Sequence, residues 1–200
     1  YSPYIRSGIV VAVVALLLNI NRMHTLRHPY ITKEALGYRN MGAILLAFLV
    51  LCCLQTTPTI LQNIFTGSIL KYDVLNSVSL NWWNLLGIVL GALAVYYWHA
   101  RLHGGYKRAV FTGFALIVIY QCFMYFLVDP QMNIEWLYLP TLLRGAGYVM
   151  IYISLTVYIS GFVPFQHFFQ VLSLLGFVRT GFGSAFGSAI YGRVMQHVLP

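Results

Sequence analysis

Two arginines lie inside otherwise apolar stretches of this 200-residue chain: Arg144 in YLPTLLRGAGYVM and Arg179 in LLGFVRTGFGSAFG. A charged side chain at the centre of a bilayer costs at least ~2.5–3.5 kcal/mol on insertion scales, so an intramembrane arginine marks function by default. No Asp or Glu occurs in the apolar runs to neutralise either one. Each guanidinium therefore needs a cluster of carbonyls, water in a cavity, a carboxylate from another part of the protein, or an anionic ligand. The chemistry on offer is charge recognition or coupling; the plainer alternative is a cation that ties helices together through their carbonyls. Arg6 and Arg193 fall near run ends, where long basic side chains snorkel to the interface.

Neutral polar groups accompany the arginines. Gln55, Thr56, Thr57, Thr59, Gln62 and Asn63 crowd one half of an apolar run around Pro58, and Asn76, Asn81 and Asn84 open the next. Such groups line a water-accessible cavity or act as interhelical glue worth about 0.6 kcal/mol each. Gln55, Gln62, Asn63 and Asn81 are the candidates for a cavity wall. Trp82 and Trp83 are pocket walls or lipid-facing aromatics. Histidines at i, i+4, as in His24/His28 and His99/His103, can share a metal when both stand on one helix. A membrane metalloenzyme of the desaturase type needs more ligands than this chain's six histidines supply. No metal and no cofactor is expected. Gly181, Gly183 and Gly187 resemble a dinucleotide loop only in spacing, because that loop needs a strand before it.

The elements that must position these residues are six apolar runs: Ile5–Ile20, Met41–Phe65, Val74–Trp98, Ala109–Val128, Trp136–Phe162 and Phe169–Gly192. Crossing ~30 Å of hydrocarbon takes about 20 residues as helix. Arg144 lies eight residues into its run and Arg179 ten residues into its own, ~12 and ~15 Å deep at ~1.5 Å per residue. Basic residues gather in the first connection (Arg22, Arg27, Lys33, Arg39) and the third (Arg101, Lys107, Arg108). Positive loops stay cytoplasmic, which places the second and fourth connections outside and alternates all six crossings. Gly183 and Gly187, four apart with Ser184 and Ser188 beside them, suit close packing of helix backbones. Gly87 and Gly91 repeat that spacing, and Gly145 and Gly147 are expected to break up the fifth run.

Composition supports a membrane solvent. Hydrophobic residues make up 60% and charged residues 8%, with a net charge of +8, against about 25% charged in soluble domains. The basic excess lies in connections, so it reads as an orientation signal and nucleic acid is not an expected partner. Cys52, Cys53 and Cys122 lie in apolar runs without metal-site spacing and read as reduced thiols. Beginning at Tyr1 and ending at Pro200 directly after an apolar run, the chain reads as part of a longer polypeptide.

The order of these features resembles the C-terminal part of a fourteen-helix drug:proton antiporter of the major facilitator superfamily. The resemblance is carried by Arg27-His28-Pro29 and Tyr38-Arg39-Asn40, Leu61-Gln62-Asn63 with Asn76, and Gly91 through Arg101, Gly104-Gly105 and Lys107-Arg108 to Gly113. It continues in Leu143-Arg144-Gly145-Ala146-Gly147 and in Arg179-Thr180-Gly181-Phe182-Gly183-Ser184-Ala185. The stretch from Gly91 to Gly105 lacks the acid usual in that superfamily's cytoplasmic loop. The resemblance implies an all-α, polytopic transmembrane bundle with six membrane-spanning helices and a partial major-facilitator fold. Residues 1–40 would hold a central helix and basic connector, and 41–200 five helices of the C-terminal bundle. It implies no enzyme activity but secondary active transport, proton-coupled efflux of drugs or amphiphiles by alternating access, in a bacterial inner membrane. Gln55, Gln62, Asn63, Asn81, Arg144 and Arg179 would line the substrate cavity. Gly91, Arg101, Lys107 and Arg108 would form a cytoplasmic gate loop, or serve as topology charges alone, and Gly183 and Gly187 would pack helices. Expected partners are the lipid bilayer, a small-molecule substrate, protons, the N-terminal bundle and a periplasmic adaptor protein. A membrane-embedded metalloenzyme with cytoplasmic histidine pairs and a structural membrane subunit are the alternatives.

Overall fold

The computed structural model describes residues 3–25, 37–38, 40–64, 66–67, 73–126 and 132–198. Arg27, His28, Pro29, Lys33, Glu34, Arg39, Lys71 and Asp129 lie outside the described residues. Every regular element described is helical: α1 (Pro3–Thr25), α2 (Met41–Ile64), α3 (Val74–Ala100), α4 (Tyr106–Phe126), α5 (Glu135–Phe162), α6 (Phe165–Phe177) and α7 (Ser184–Val198). Between α6 and α7 the chain keeps turning through a π-helical segment, Val178–Gly183.

Local chemistry sets the boundaries. Pro164 disfavours helical backbone at the residue before it, and Val163 is extended at φ −90°, ψ 123°, which ends α5. Glu135 sits in the first turn of α5, where its charge complements the positive end of the helix dipole. α3 and α4 are joined by a short turn in which His103 takes a left-handed φ of 48°.

α5 is the central element. It packs extensively on α3 along one side and on α4 along another, and six successive residues, Arg144 to Val149, are buried. A helix enclosed on several faces needs small residues wherever a neighbour comes close, and here it has them. Contrary to the expectation from sequence, neither Gly145 nor Gly147 interrupts α5. Each instead admits a different neighbour: Gly145 faces the Asn84 backbone of α3, and the space beside Gly147 is closed by Gly113 and Leu116 of α4. In return, a Cβ on Gly87 would fall on the Leu142 carbonyl oxygen. Small residues matter in lipid, where helix association rests on van der Waals contact rather than on hydrophobic burial.

α2 pairs with the π segment and α7. A Cβ on Gly183 would overlap that of Cys52, and one on Gly187 would come within 3.1 Å of Thr56 Cβ. The two units meet through large side chains: Met41, Ile44, Phe48 and Leu51 of α2 join Tyr148, Ile151, Leu155 and Ile159 of α5 and Val171 and Leu175 of α6 in one core. α1 shares no extended seam with another described element.

Partner positions fix the directions. Gly87 meets Leu142 and Gly91 meets Ala146, so α3 and α5 run parallel; Gly113 meets Ile151 while Ile117 meets Gly147, so α4 runs against both. Cys52 meets Gly183 and Thr56 meets Gly187, so α2 and α7 are parallel. Asn40, Gly105 and Tyr158 consequently gather at one end of the bundle.

Among the described residues, three helices are long and apolar enough to cross a membrane: α3 from Leu75, α4 and α5. In α2 the described apolar stretch is Met41–Thr56, and the π segment divides the last rod into helices of 13 and 15 residues. The membrane reading thus stands on three helices rather than six. Its outer surface agrees: Leu75, Trp82, Leu93, Tyr96, Phe111, Val118, Tyr125 and Phe126 are all exposed. Contiguous apolar surface on this scale marks a face made for lipid or another protein.

Candidate functional site

Four helices converge on Arg144, which is 3% exposed. Its Nη1 donates to Oε1 of Gln62 on α2 at 2.9 Å, and its Nη2 donates to Oδ1 of Asn84 on α3 at 3.5 Å. The guanidinium carbon lies 5.3 Å from the ring centre of Tyr120 on α4. The Tyr120 hydroxyl in turn donates to Gln62 Oε1 at 3.5 Å. Nε of Arg144 is buried without a hydrogen-bond partner. The cation is thus held by neutral acceptors and a π face, and no carboxylate among the described residues takes part.

The backbone places these groups. The missing Cβ of Gly145 lets the Asn84 backbone approach α5, which carries the Asn84 side chain to the preceding residue, Arg144. Tyr120 belongs to the buried stripe Ala109, Gly113, Ile117 and Tyr120 that α4 turns toward α5. A hydrogen bond to a charged group contributes about 1.5–3 kcal/mol, and a desolvated cation–π contact about 2 kcal/mol. Together these offset most of the cost of burying one guanidinium, and the orphan N–H leaves it incomplete.

Arg179 is placed differently. It is exposed, with its guanidinium carbon 5.1 Å from the Tyr152 ring centre and 5.9 Å from that of Tyr148. Counting residues along the run fixes its depth but not the side of the helix it occupies. The π segment begins at Val178, and its five-residue hydrogen bonding rotates the later positions of the run around the axis relative to an unbroken α-helix. Tyr148 and Tyr152 stack at 6.2 Å, and Tyr152 meets Phe48 edge-on at 5.6 Å.

Of the other proposed cavity residues, Gln62 is buried, Gln55 half-buried, and Asn63 and Asn81 exposed. Asn81 and Asn84 line a hollow of about 300 Å³ with Trp82, Leu85 and Ile88. Trp82 and Trp83 are both exposed, and Trp83 stacks on Tyr138 with ring centres 5.1 Å apart. The structure therefore joins Gln62 to Arg144 but not to Asn63, Asn81 or Arg179.

At the opposite end, the connection after α3 is a pinned turn. The Gly104 N–H donates to the Trp98 carbonyl at 3.0 Å, and His99 Nδ1 lies 3.1 Å from the Gly104 carbonyl oxygen. A Cβ on Gly104 would run into the Trp98 indole. Arg101, Lys107 and Arg108 are exposed around this turn. Gly91 is not part of it: it lies inside α3 against Ala146 and Val149 of α5, where its role is packing. His103 has left the helix for the turn, so His99 and His103 do not form a helical i, i+4 pair. His99 Nε2 instead lies 3.4 Å from Ser154 Oγ, and His167 Nδ1 lies 2.9 Å from the Tyr38 hydroxyl. No group of three or more metal-ligating side chains occurs among the described residues.

Tyr120 and Asn84 are the members of the Arg144 cluster that the sequence reading did not single out as site residues. A usable signal existed for Tyr120, since Gly113, Ile117 and Tyr120 fall on one helix face at i, i+4 and i+7. No family model, curated protein or solved structure matches this chain.

Proposed function

We propose that this protein is a secondary active transporter that exports amphiphilic small molecules in exchange for protons. In this reading the helices from Met41 onward form one of two bundles that rock about a site near the middle of a bacterial inner membrane. The observation that carries the reading is Arg144: a cation buried at a four-helix junction, with one N–H unpaired and only neutral partners among the described residues. A bundle selected for stability alone gains nothing from keeping that charge, because apolar residues of similar volume commonly serve as well or better. The resemblance to drug:proton antiporters and the apolar outer face of α3 and α4 support the same conclusion. The parallel and antiparallel directions agree with connections that alternate between two sides, the end bearing Arg101, Lys107 and Arg108 being cytoplasmic.

Ethidium efflux from cells expressing the full reading frame tests it. Wild type clears the dye when a proton gradient is imposed. Arg144→Ala abolishes clearance at equal expression, and Arg144→Lys, which keeps charge without the planar fork, restores part of it. Undiminished efflux by Arg144→Ala removes this residue from the mechanism and the reading with it.

A further inference from the structure

The basic end of the bundle contains a groove of about 760 Å³ that the transport reading does not use. Its walls are apolar: Ala43, Ile44 and Ala47 of α2, Val110, Phe111 and Phe114 of α4, and Leu155 of α5. Its mouth is polar, formed by Asn40, Lys107 and Arg108 with the first turn of α4. Both basic side chains are exposed, and among the described residues no acidic side chain lines the groove. Tyr106 and Tyr158, 5.8 Å apart edge-on, stand at the boundary between the two zones.

We propose that this groove holds one anionic phospholipid, with an acyl chain between α2 and α4 and the phosphate at Lys107 and Arg108. Three observations favour a lipid over a protein segment. Among the described residues the charge is segregated, cations at the mouth and none within, as a lipid's own division requires. The walls run from Tyr106 to Phe114 along α4, ~12 Å of helix, close to the ~15 Å depth of one hydrocarbon leaflet. The mouth lies at the end where basic residues would meet the anionic cytoplasmic leaflet, and basic pockets between helices on that side bind acidic headgroups. The inference needs the helices to stand in lipid but does not need transport.

The test uses purified protein in neutral detergent, mixed with phosphatidylglycerol or phosphatidylcholine of identical acyl chains. Native mass spectrometry counts bound lipid, and thermal unfolding reports its effect. Wild type retains one phosphatidylglycerol and unfolds at a higher temperature with it, while phosphatidylcholine does neither. The double substitution Lys107→Ala/Arg108→Ala weakens phosphatidylglycerol binding about 30-fold, from about 1 kcal/mol per basic residue. Ala47→Phe fills the groove and removes the bound lipid; if that variant fails to fold, the charge variant still decides. Equal binding of both lipids, an unchanged preference in the charge variant, or a second copy of the chain occupying the groove in lipid-free samples overturns the assignment. Loss of ethidium efflux in Arg144→Ala has no bearing on these outcomes, so the two ideas fail separately.

Discussion

Replacing Gln62 by leucine should harm this protein more than removing the charge that Gln62 serves. Gln62 Oε1 accepts from Arg144 Nη1 at 2.9 Å and from the Tyr120 hydroxyl at 3.5 Å. Gln62→Leu deletes the better of the two hydrogen bonds to a buried cation whose Nε already lacks a partner. Losing a bond to a charged group costs about 1.5–3 kcal/mol, and stranding the donor adds to it, so a loss of about 2–4 kcal/mol is expected. Arg144→Met, by contrast, removes the cation and leaves Gln62 with the Tyr120 hydroxyl. Exchanging a buried charge for an apolar side chain of similar length is commonly neutral or stabilising, so this variant should stay within about 1 kcal/mol of wild type. The double variant should match Arg144→Met rather than the sum of the two, a coupling of about 2–4 kcal/mol, equal to the whole Gln62→Leu loss, as residues in contact need not add. Thermal unfolding in detergent followed by tryptophan fluorescence reads these differences. At roughly 2–4 °C per kcal/mol for a chain of this size, Gln62→Leu lowers the midpoint by roughly 4–16 °C. If Arg144→Met falls as far as Gln62→Leu and the double variant adds both losses, the two side chains are not coupled and the cluster is misread. Because Arg144→Met should fold well yet fail in ethidium efflux, the same variant separates stability from function.

The glycine seams give a second test. Gly87→Ala and Gly145→Ala each force a Cβ onto the backbone of the facing helix and should cost about 1–3 kcal/mol in thermal unfolding, whereas Gly161→Ala, with open space beside it, should be neutral or stabilising, since alanine favours helix over glycine by about 1 kcal/mol. Topology is testable by thiol labelling after Cys52, Cys53 and Cys122 are replaced by alanine. Arg101→Cys and Asn133→Cys, both at exposed positions, should react with a membrane-impermeant maleimide from opposite sides, Asn133→Cys from outside. Labelling of both from one side would refute the alternation.

Much of the helical layout was legible in the sequence because lipid imposes a simple rule on length and polarity. The first five apolar runs correspond to helices whose ends differ by a few residues, as with Val74–Trp98 against Val74–Ala100. The division of the last rod was not legible. A π segment needs no distinctive composition, only a register shift stabilised by neighbours, here Gly183 pressed against Cys52 and the Thr180 hydroxyl donating to the Gly176 carbonyl at 2.8 Å. Arg144 and Arg179 show the limit most clearly. Both lie deep in apolar runs beside glycines, yet one is enclosed by four helices and the other is exposed over two tyrosines. Depth along a helix can be counted from residues, whereas the side a residue faces depends on which neighbour packs where. Asn84 joins the Arg144 cluster and Asn81 does not, although they are three residues apart, for the same reason.

The two kinds of helix contact in this bundle bear on how it could work. Between α3, α5 and α4 the backbones approach closely at Gly87, Gly145, Gly113 and Gly147, where even one added carbon would overlap backbone atoms. Seams of that kind have little room to slide, so the three helices move as one body. α2 meets α5 instead through large side chains, Phe48 against Tyr152 and Ile44, Leu51 and Tyr148 in the shared core. Side chains of this kind can exchange rotamers and repack at modest cost. The polar link across that looser contact is the hydrogen bond from Arg144 to Gln62, the latter two residues from the end of α2. Any displacement of α2 along the three-helix layer stretches this bond before it disturbs a glycine seam. It would thereby free the guanidinium toward whatever acceptor enters. In the transport reading, that places a charge whose partners change with conformation at the boundary between the rigid layer and the movable helix, which is where a substrate or a proton could bias one conformation over the other.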